Sequence, residues 1–305
     1  MRHKSIVSVT IILLNAILCL NIYSASTKTE LQEKIEQIIK DKNANFGIAV
    51  KFDNKIICNI NGNNKFPMMS VFKLHQATYI LNNYSNNVIN DTVFISNDML
   101  NKQTYSPLRD KFPNGNINIS TKDIIEYSVC QSDNNASNIL FSLYGGTKPV
   151  NKYIKNIGCN NTQIKWTEDD MHSEMYRCYE NYTTPNDAIT LLERIATEKT
   201  NSKILWLNDI IGKVKTGENR LAKPLNKTNS TLHHKTGTGF IKSDGTITAI
   251  NDIGYVRLAN DSIYYIAVLC SDSKLSVCET ENIIAEISKL TYQYISLKQK
   301  LSSDN

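Results

Sequence analysis

Strand-like sequence is confined to the two ends of this 305-residue chain, and helical spacing fills the middle. Near the start, Leu31, Ile35, Ile38 and Ile39 recur at helical intervals, with Thr27 or Thr29 placed as an N-cap. Residues 46–52 alternate, Asp53-Asn54 makes a turn and 55–60 returns, which is a hairpin pattern. Near the end, 230–241 is Thr-rich with apolar residues interleaved, and Ser243-Asp244-Gly245-Thr246 is a hairpin signal. Residues 246–258 and 262–270 read as two more strands, and 277–297 as an amphipathic helix. A lone hairpin is unstable, so the two ends are expected to join. They predict an antiparallel five-stranded sheet flanked by helices, an α/β arrangement of the α+β kind. The middle becomes an all-helical region, with a cleft where the two meet. The boundaries follow: 27–66 and 212–305 for the α/β region, 67–211 for the helical one.

Within the middle, helical spacing runs over 70–81, 121–129, 135–144, 150–157, 185–198 and 202–215. Gly145-Gly146 stops one helix, and Thr184 with Pro185 starts another. Residues 82–122 are loop-rich. Residues 159–184 form a long polar stretch without periodicity, which in a compact domain marks a functional loop or disorder.

Ahead of all this, Met1-Arg2-His3-Lys4 is basic, 6–20 is apolar, and Asn21 to Ser26 is small or polar. That pattern reads as a signal peptide over 1–26, cleaved on export to the periplasm. The apolar run is short for a membrane anchor. Once it is removed, no membrane association is expected. The formal net charge of +5 loses the two charges of Arg2 and Lys4, too little to argue for nucleic acid. Six cysteines remain: Cys58, Cys130, Cys159, Cys178, Cys270 and Cys278. An oxidising compartment permits disulfides among them. No Cys-x-x-Cys or His-Glu-x-x-His spacing occurs, so neither a metal nor a cofactor is expected.

Three short motifs carry chemistry. Ser70-Val71-Phe72-Lys73 opens a helix, so hydroxyl and amine share one face, with the hydroxyl at the positive end. That is a nucleophile with a base beside it. A second Ser-x-x-Lys, Ser271 to Lys274, looks like a strand-end turn. Ser132-Asp133-Asn134 interrupts the helical middle. Lys235-Thr236-Gly237 lies in a strand, where the glycine would let a ligand lie against the edge. Its other copy, Lys215-Thr216-Gly217, sits in a polar stretch and reads as a loop. The ordered set is the signature of class A β-lactamases and penicillin-binding proteins.

The likeness extends to the flanking residues: Phe66 to Lys73, Gln131 to Ala136, Thr167-Glu168-Asp169-Asp170-Met171-His172, His234 to Gly239 and Asn251 to Gly254. The mature chain resembles a class A serine β-lactamase, nearest its PER-, VEB- and CfxA-like branch. The resemblance implies the serine β-lactamase/penicillin-binding-like fold and a monomer. It also implies hydrolysis of the β-lactam amide of penicillins and cephalosporins through a serine acyl-enzyme, hence antibiotic resistance. Ser70 would attack, with Lys73 and Glu168 as rival bases. Glu168 would also drive deacylation through a water. Ser132 would pass a proton to the lactam nitrogen. Backbone N–H groups of Ser70 and Thr238 would form the oxyanion hole. Asn134 would hold the substrate's side-chain amide. Lys235, with Thr236, Gly237 and Thr238, would bind the substrate carboxylate, and Arg220 would aim a guanidinium at it. Tyr105 would edge the cleft.

The chain also departs from the family. His172 stands where most members place Asn. Trp166 and Asn181 stand where many close the polar loop with an Arg–Asp pair. A disulfide between Cys159 and Cys178, which bracket that loop, would replace the ion pair. Without a working Glu168, the same motifs would describe a D,D-peptidase, or a penicillin sensor that stays acylated.

Overall fold

The computed structural model describes residues 28–303; the expected signal segment lies outside them. Five strands, β1 (Asn45–Phe52), β2 (Lys55–Ile60), β3 (Thr231–Thr238), β4 (Ile247–Arg257) and β5 (Ile263–Ser273), form one antiparallel sheet in the order β2-β1-β5-β4-β3. The chain's two ends meet at β1 and β5, with Ile48 opposite Val268 and Ala49 opposite Ala267.

Side chains alternate across a sheet. On one face Tyr264, Ile266, Val268 and Cys270 pack with Leu31 and Ile35 of the helix Glu30–Ile39 and with Ile284 and Ile287 of the helix Val277–Ser303. On the other, Tyr265, Ala267 and Leu269 join the core of the helical region. The helix Pro185–Ala196 lies on β1 and β5 there, over the small pair Ala49 and Ala267. With both faces covered, 247–256 is buried without a break, so β4 shows little of the apolar–polar alternation of a half-exposed strand.

The helix Phe72–Asn83 runs through the helical region. Residues 72–81 are all buried, as expected of a helix enclosed on every side. Its polar residues mostly find partners. Gln76 and Ser137 exchange hydrogen bonds of 3.0 and 3.1 Å, and the Thr78 hydroxyl donates to Leu74 O at 2.7 Å. His75 Nε2 finds none, and burial pulls that imidazole down to about 4, so it stays neutral at pH 7.

Asp133 caps the helix Asn134–Leu143 and ties it to the preceding loop. Its carboxylate accepts from Ala136 N at 2.8 Å, Leu108 N at 2.6 Å and the Ser106 hydroxyl at 2.9 Å. Asp133→Ala strands these donors in a buried place. The expected loss is about 2–4 kcal/mol, read as a lower denaturant midpoint at unchanged slope.

The loop 159–184 is more ordered than its sequence suggests. It contains the short helix Glu168–Ser173 and a 3₁₀ turn, Met175–Glu180. Thr167 and Asp170 cap the helix reciprocally, Asp170 taking the place usual for Glu or Gln. The expected Cys159–Cys178 bridge is not formed: both thiols are free and buried. Cys159 Sγ donates to Asp187 O at 3.4 Å, and Cys178 lies buried in the core of the helical region. The neck is closed instead by the buried Asn181. Its Oδ1 accepts the N–H groups of Lys165 and Trp166 at 2.7 and 2.9 Å, and its Nδ2 donates to Trp166 O at 2.8 Å. One neutral amide can make these bonds because it carries both donors and an acceptor.

Candidate active site

A cleft of about 330 Å³ lies between the helical region and the outer edge of β3, with Ser70 and Glu168 in its wall. Three contacts bring the Ser70 turn there. Phe66–Pro67 pairs with Tyr182–Thr183, and Met68 N–H donates to Asn181 O at 2.9 Å. The neck of the loop is thus fastened just ahead of Ser70, which sets Glu168 beside it. Asn251 Nδ2 donates to Pro67 O at 2.8 Å, tying the turn to β4.

Gly237 makes the third contact possible. A Cβ there would sit 2.5 Å from Met68 O, so only glycine lets β3 approach this closely. The expectation that its role was to admit a ligand is therefore corrected: the space is filled by the chain's own backbone.

Met69 at φ +45° and Ser132 at φ +58° both lie in the left-handed region, uncommon for residues with a Cβ. Both line the cleft together with Ser70. Such strain persists only where the surroundings impose it.

Lys73 is fully buried and sits at the centre. Its Nζ lies 3.0 Å from Ser70 Oγ, 2.7 Å from Ser132 O, 2.6 Å from Asn134 Oδ1 and 2.8 Å from Glu168 Oε1. Ser70 Oγ in turn lies 3.2 Å from Glu168 Oε1. An ionised carboxylate only accepts, so the serine donates to Glu168 and the ammonium donates to the serine. Burial pulls the Lys73 ammonium below its ordinary value, opposed by the adjacent Glu168 charge.

Above them, Lys235 Nζ lies 3.0 Å from Ser132 Oγ and 3.0 Å from Thr236 O. Gly239 N–H donates inward to Ala249 O at 2.8 Å. Successive residues face opposite ways across the ladder, so Thr238 N–H points to the open side, toward the cleft.

Most expected site residues converge: Ser70, Lys73, Ser132, Asn134, Glu168, Lys235, Thr236 and Thr238. Tyr105 stands at the edge, 57% exposed. His172 lines the wall, and its Nδ1 lies 2.8 Å from Glu168 O. Arg220 differs from expectation. It is buried, and its guanidinium donates to Gly237 O, Asn251 O, Thr238 Oγ1 and Glu281 Oε1 at 3.2, 2.9, 2.6 and 3.0 Å. With four of its five N–H donors engaged by the protein, it orients the Thr238 hydroxyl and is not among the residues lining the cleft.

Four lining residues were not among those expected: Met69, Thr216, Gly239 and Phe240. Thr216, set aside as part of a loop, exchanges a 2.8 Å hydrogen bond with Thr236. Its only signal was the repeat of the Lys-Thr-Gly triplet. Phe240, just past β3, packs against His172.

Comparison with known proteins agrees along the same length. A β-lactamase of Bacteroides uniformis is 36% identical over 274 residues, covering 88% of this chain and 92% of the relative. Beta-lactamase VEB-1 of Pseudomonas aeruginosa is 34% identical over 284 residues, covering 90% and 93%. A solved class A β-lactamase from Bacteroides cellulosilyticus superposes with a TM-score of 0.84 at 32% identity, covering 88% of this chain and 98% of that one. The model of the beta-lactamase enzyme family matches residues 30–295. Since that span takes in both walls of the cleft, the chain belongs to the β-lactamase enzyme family, among its class A members.

Proposed function

We propose that Ser70 opens the β-lactam ring of penicillins and cephalosporins by forming an acyl-enzyme, which Glu168 then clears. The observation that carries this reading is the contact chain Lys73 Nζ–Ser70 Oγ–Glu168 Oε1, at 3.0 and 3.2 Å. Ser70 Oγ bonds to the lactam carbonyl carbon as its proton passes to the Lys73–Glu168 couple. The oxyanion forms against the N–H groups of Ser70 and Thr238, each such donor being worth ~3 kcal/mol. The C–N bond breaks, and the lactam nitrogen takes a proton from Ser132, whose hydroxyl is restored by the proton that the Lys73–Glu168 couple took from Ser70. That hydroxyl is free to donate because Lys235 donates to it. Glu168 then removes a proton from water as the water attacks the ester carbonyl. Ser70 leaves reprotonated, and the product is the ring-opened acid.

Asn134 would hold the acylamino group of the substrate, and Lys235, Thr236 and Thr238 its carboxylate, with Thr216 beside them. No helix among the described residues is long and apolar enough to cross a membrane. The basic start and apolar run support export to the periplasm, and we expect a monomer that binds no nucleic acid.

Turnover of nitrocefin tests the function. Many equivalents hydrolysed per enzyme are expected. One equivalent followed by silence would favour a penicillin sensor, and release of D-alanine from a D-Ala-D-Ala peptide a peptidase.

The pH profile has a sign fixed by Lys235. Burial, then the nearby Lys73 charge, pull its ammonium from 10.5 to about 7. Its charge is present below that pH and lost above it. For a substrate bearing a carboxylate, kcat/KM should fall as pH rises through about 7, approaching roughly tenfold per pH unit, with the loss in KM. Lys235→Arg stays charged and should carry activity to higher pH. An identical alkaline limb in that variant would exclude Lys235 as its source.

A further inference from the structure

Residues 239–242 continue β3 as an extended arm along one rim of the cleft. Ile241 bridges to Ile247, and Lys242 N–H donates to Thr246 O at 2.8 Å. Residues two apart in an extended segment share a face. Phe240 and Lys242 therefore look the same way, and both meet the loop that carries Glu168. The Phe240 ring stands edge-on to His172, with centroids 5.2 Å apart and planes at 80°. Lys242 Nζ lies 5.0 Å from the centre of the Tyr179 ring and 2.8 Å from Asp272 Oδ1. The Tyr179 hydroxyl donates to that same oxygen at 2.5 Å. Asp272, near the end of β5, sits in the left-handed region at φ +48°. The arm is also tied to β4, where the Thr248 hydroxyl accepts Phe240 N–H at 2.9 Å.

We propose that the Tyr179–Asp272–Lys242 node is a latch that fixes the width of the His172–Phe240 wall and so selects among acyl side chains on the β-lactam ring. This rests on the reading of the cleft given above. With the lactam carbonyl at Ser70 and the ring carboxylate at Lys235, the acylamino group extends past Asn134 toward that wall. A slim chain passes a latched rim. A branched one needs the arm and the loop to part.

The node is suited to hold them. One carboxylate receives a hydroxyl and an ammonium at once, and charge-assisted bonds are the stronger kind. Lys242 and Asp272 are about a third exposed, at 35% and 36%, so their ion pair alone contributes little. The Tyr179 hydroxyl joins the loop to β5 and makes the node a three-way junction. Tyr179, Lys242 and Asp272 are not among the residues lining the cleft. They act on substrate choice through Phe240 and His172, as positioning residues.

The test compares cefotaxime, whose acyl chain carries a methoxyimino branch, with cephalothin, whose chain is unbranched. Tyr179→Phe removes only the hydroxyl, and Lys242→Met cuts the node from the other side. In each, the ratio of kcat/KM for cefotaxime over cephalothin should rise about threefold to tenfold, carried by KM. Lys242→Arg keeps the charge and should keep the wild-type ratio. A ratio unchanged in both variants, or equal losses on both drugs, would overturn the latch and leave a merely structural contact. Failure of the unaltered enzyme to turn over either drug would overturn the β-lactam reading itself.

Discussion

Ser70→Ala should lower kcat on nitrocefin by about six orders of magnitude, the scale seen when a nucleophile that works as one unit with its base is removed. No nearby hydroxyl is free to replace it. Ser132 is held by Lys235, and Thr216 and Thr236 bond to each other. What survives is the contribution of binding and of the oxyanion donors. The fold should not suffer. The change deletes one partly exposed hydroxyl and leaves the Lys73–Glu168 contact at 2.8 Å in place. Thermal unfolding of the variant is expected to match or exceed that of the parent. Activity within a hundredfold of the parent in the folded variant would put the nucleophile elsewhere.

Glu168→Gln should have the second largest effect, and of a different kind. General base catalysis contributes about a hundredfold to ten-thousandfold. Turnover should fall by roughly a thousandfold while acylation continues. The reason lies with Lys73, whose ammonium is disfavoured by burial and rescued by Glu168. Removing the carboxylate leaves burial opposed only by the Asp133 charge, which moves the amine further toward the neutral form that can accept the proton of Ser70. The ester then forms, with nothing beside it to activate water. Nitrocefin absorbance should show a burst of one equivalent and then a slow steady rate. A variant slowed without a burst would mean that Glu168 is needed first for acylation.

The catalytic core was legible because each part of it is local. Ser70, in the 3₁₀ turn Met69–Val71, and Lys73, in the helix Phe72–Asn83 that follows it, are three apart, and Lys235 to Thr238 lie on one strand. The five strands were legible at the chain ends from turns and alternation, although β4 is buried on both faces. What could not be read depends on contacts between distant segments. Two cysteines bracketing a loop suggest a bond, but nothing local shows that one thiol points to Asp187 and that both stay free and buried. Asn181 is one asparagine among many until the fold brings the N–H groups of Lys165 and Trp166 onto its side chain. Arg220 sits in a polar stretch, and only the β3–β4 pairing brings the Gly237 and Asn251 carbonyls to it. Thr216 does lie in a loop, as read, but its place in the cleft wall depends on Thr236, 2.8 Å away in the fold and twenty residues on in the chain.

The central claim is that Ser70 acquires an acyl group and Glu168 is what removes it. Intact-mass spectrometry of Glu168→Gln mixed with a cephalosporin, followed by peptide mapping, tests this most directly. One covalent adduct per chain is expected, located on Ser70, lasting for hours in the variant and gone within seconds in the parent. An adduct that clears as fast in the variant as in the parent, or one carried by another residue, would contradict it.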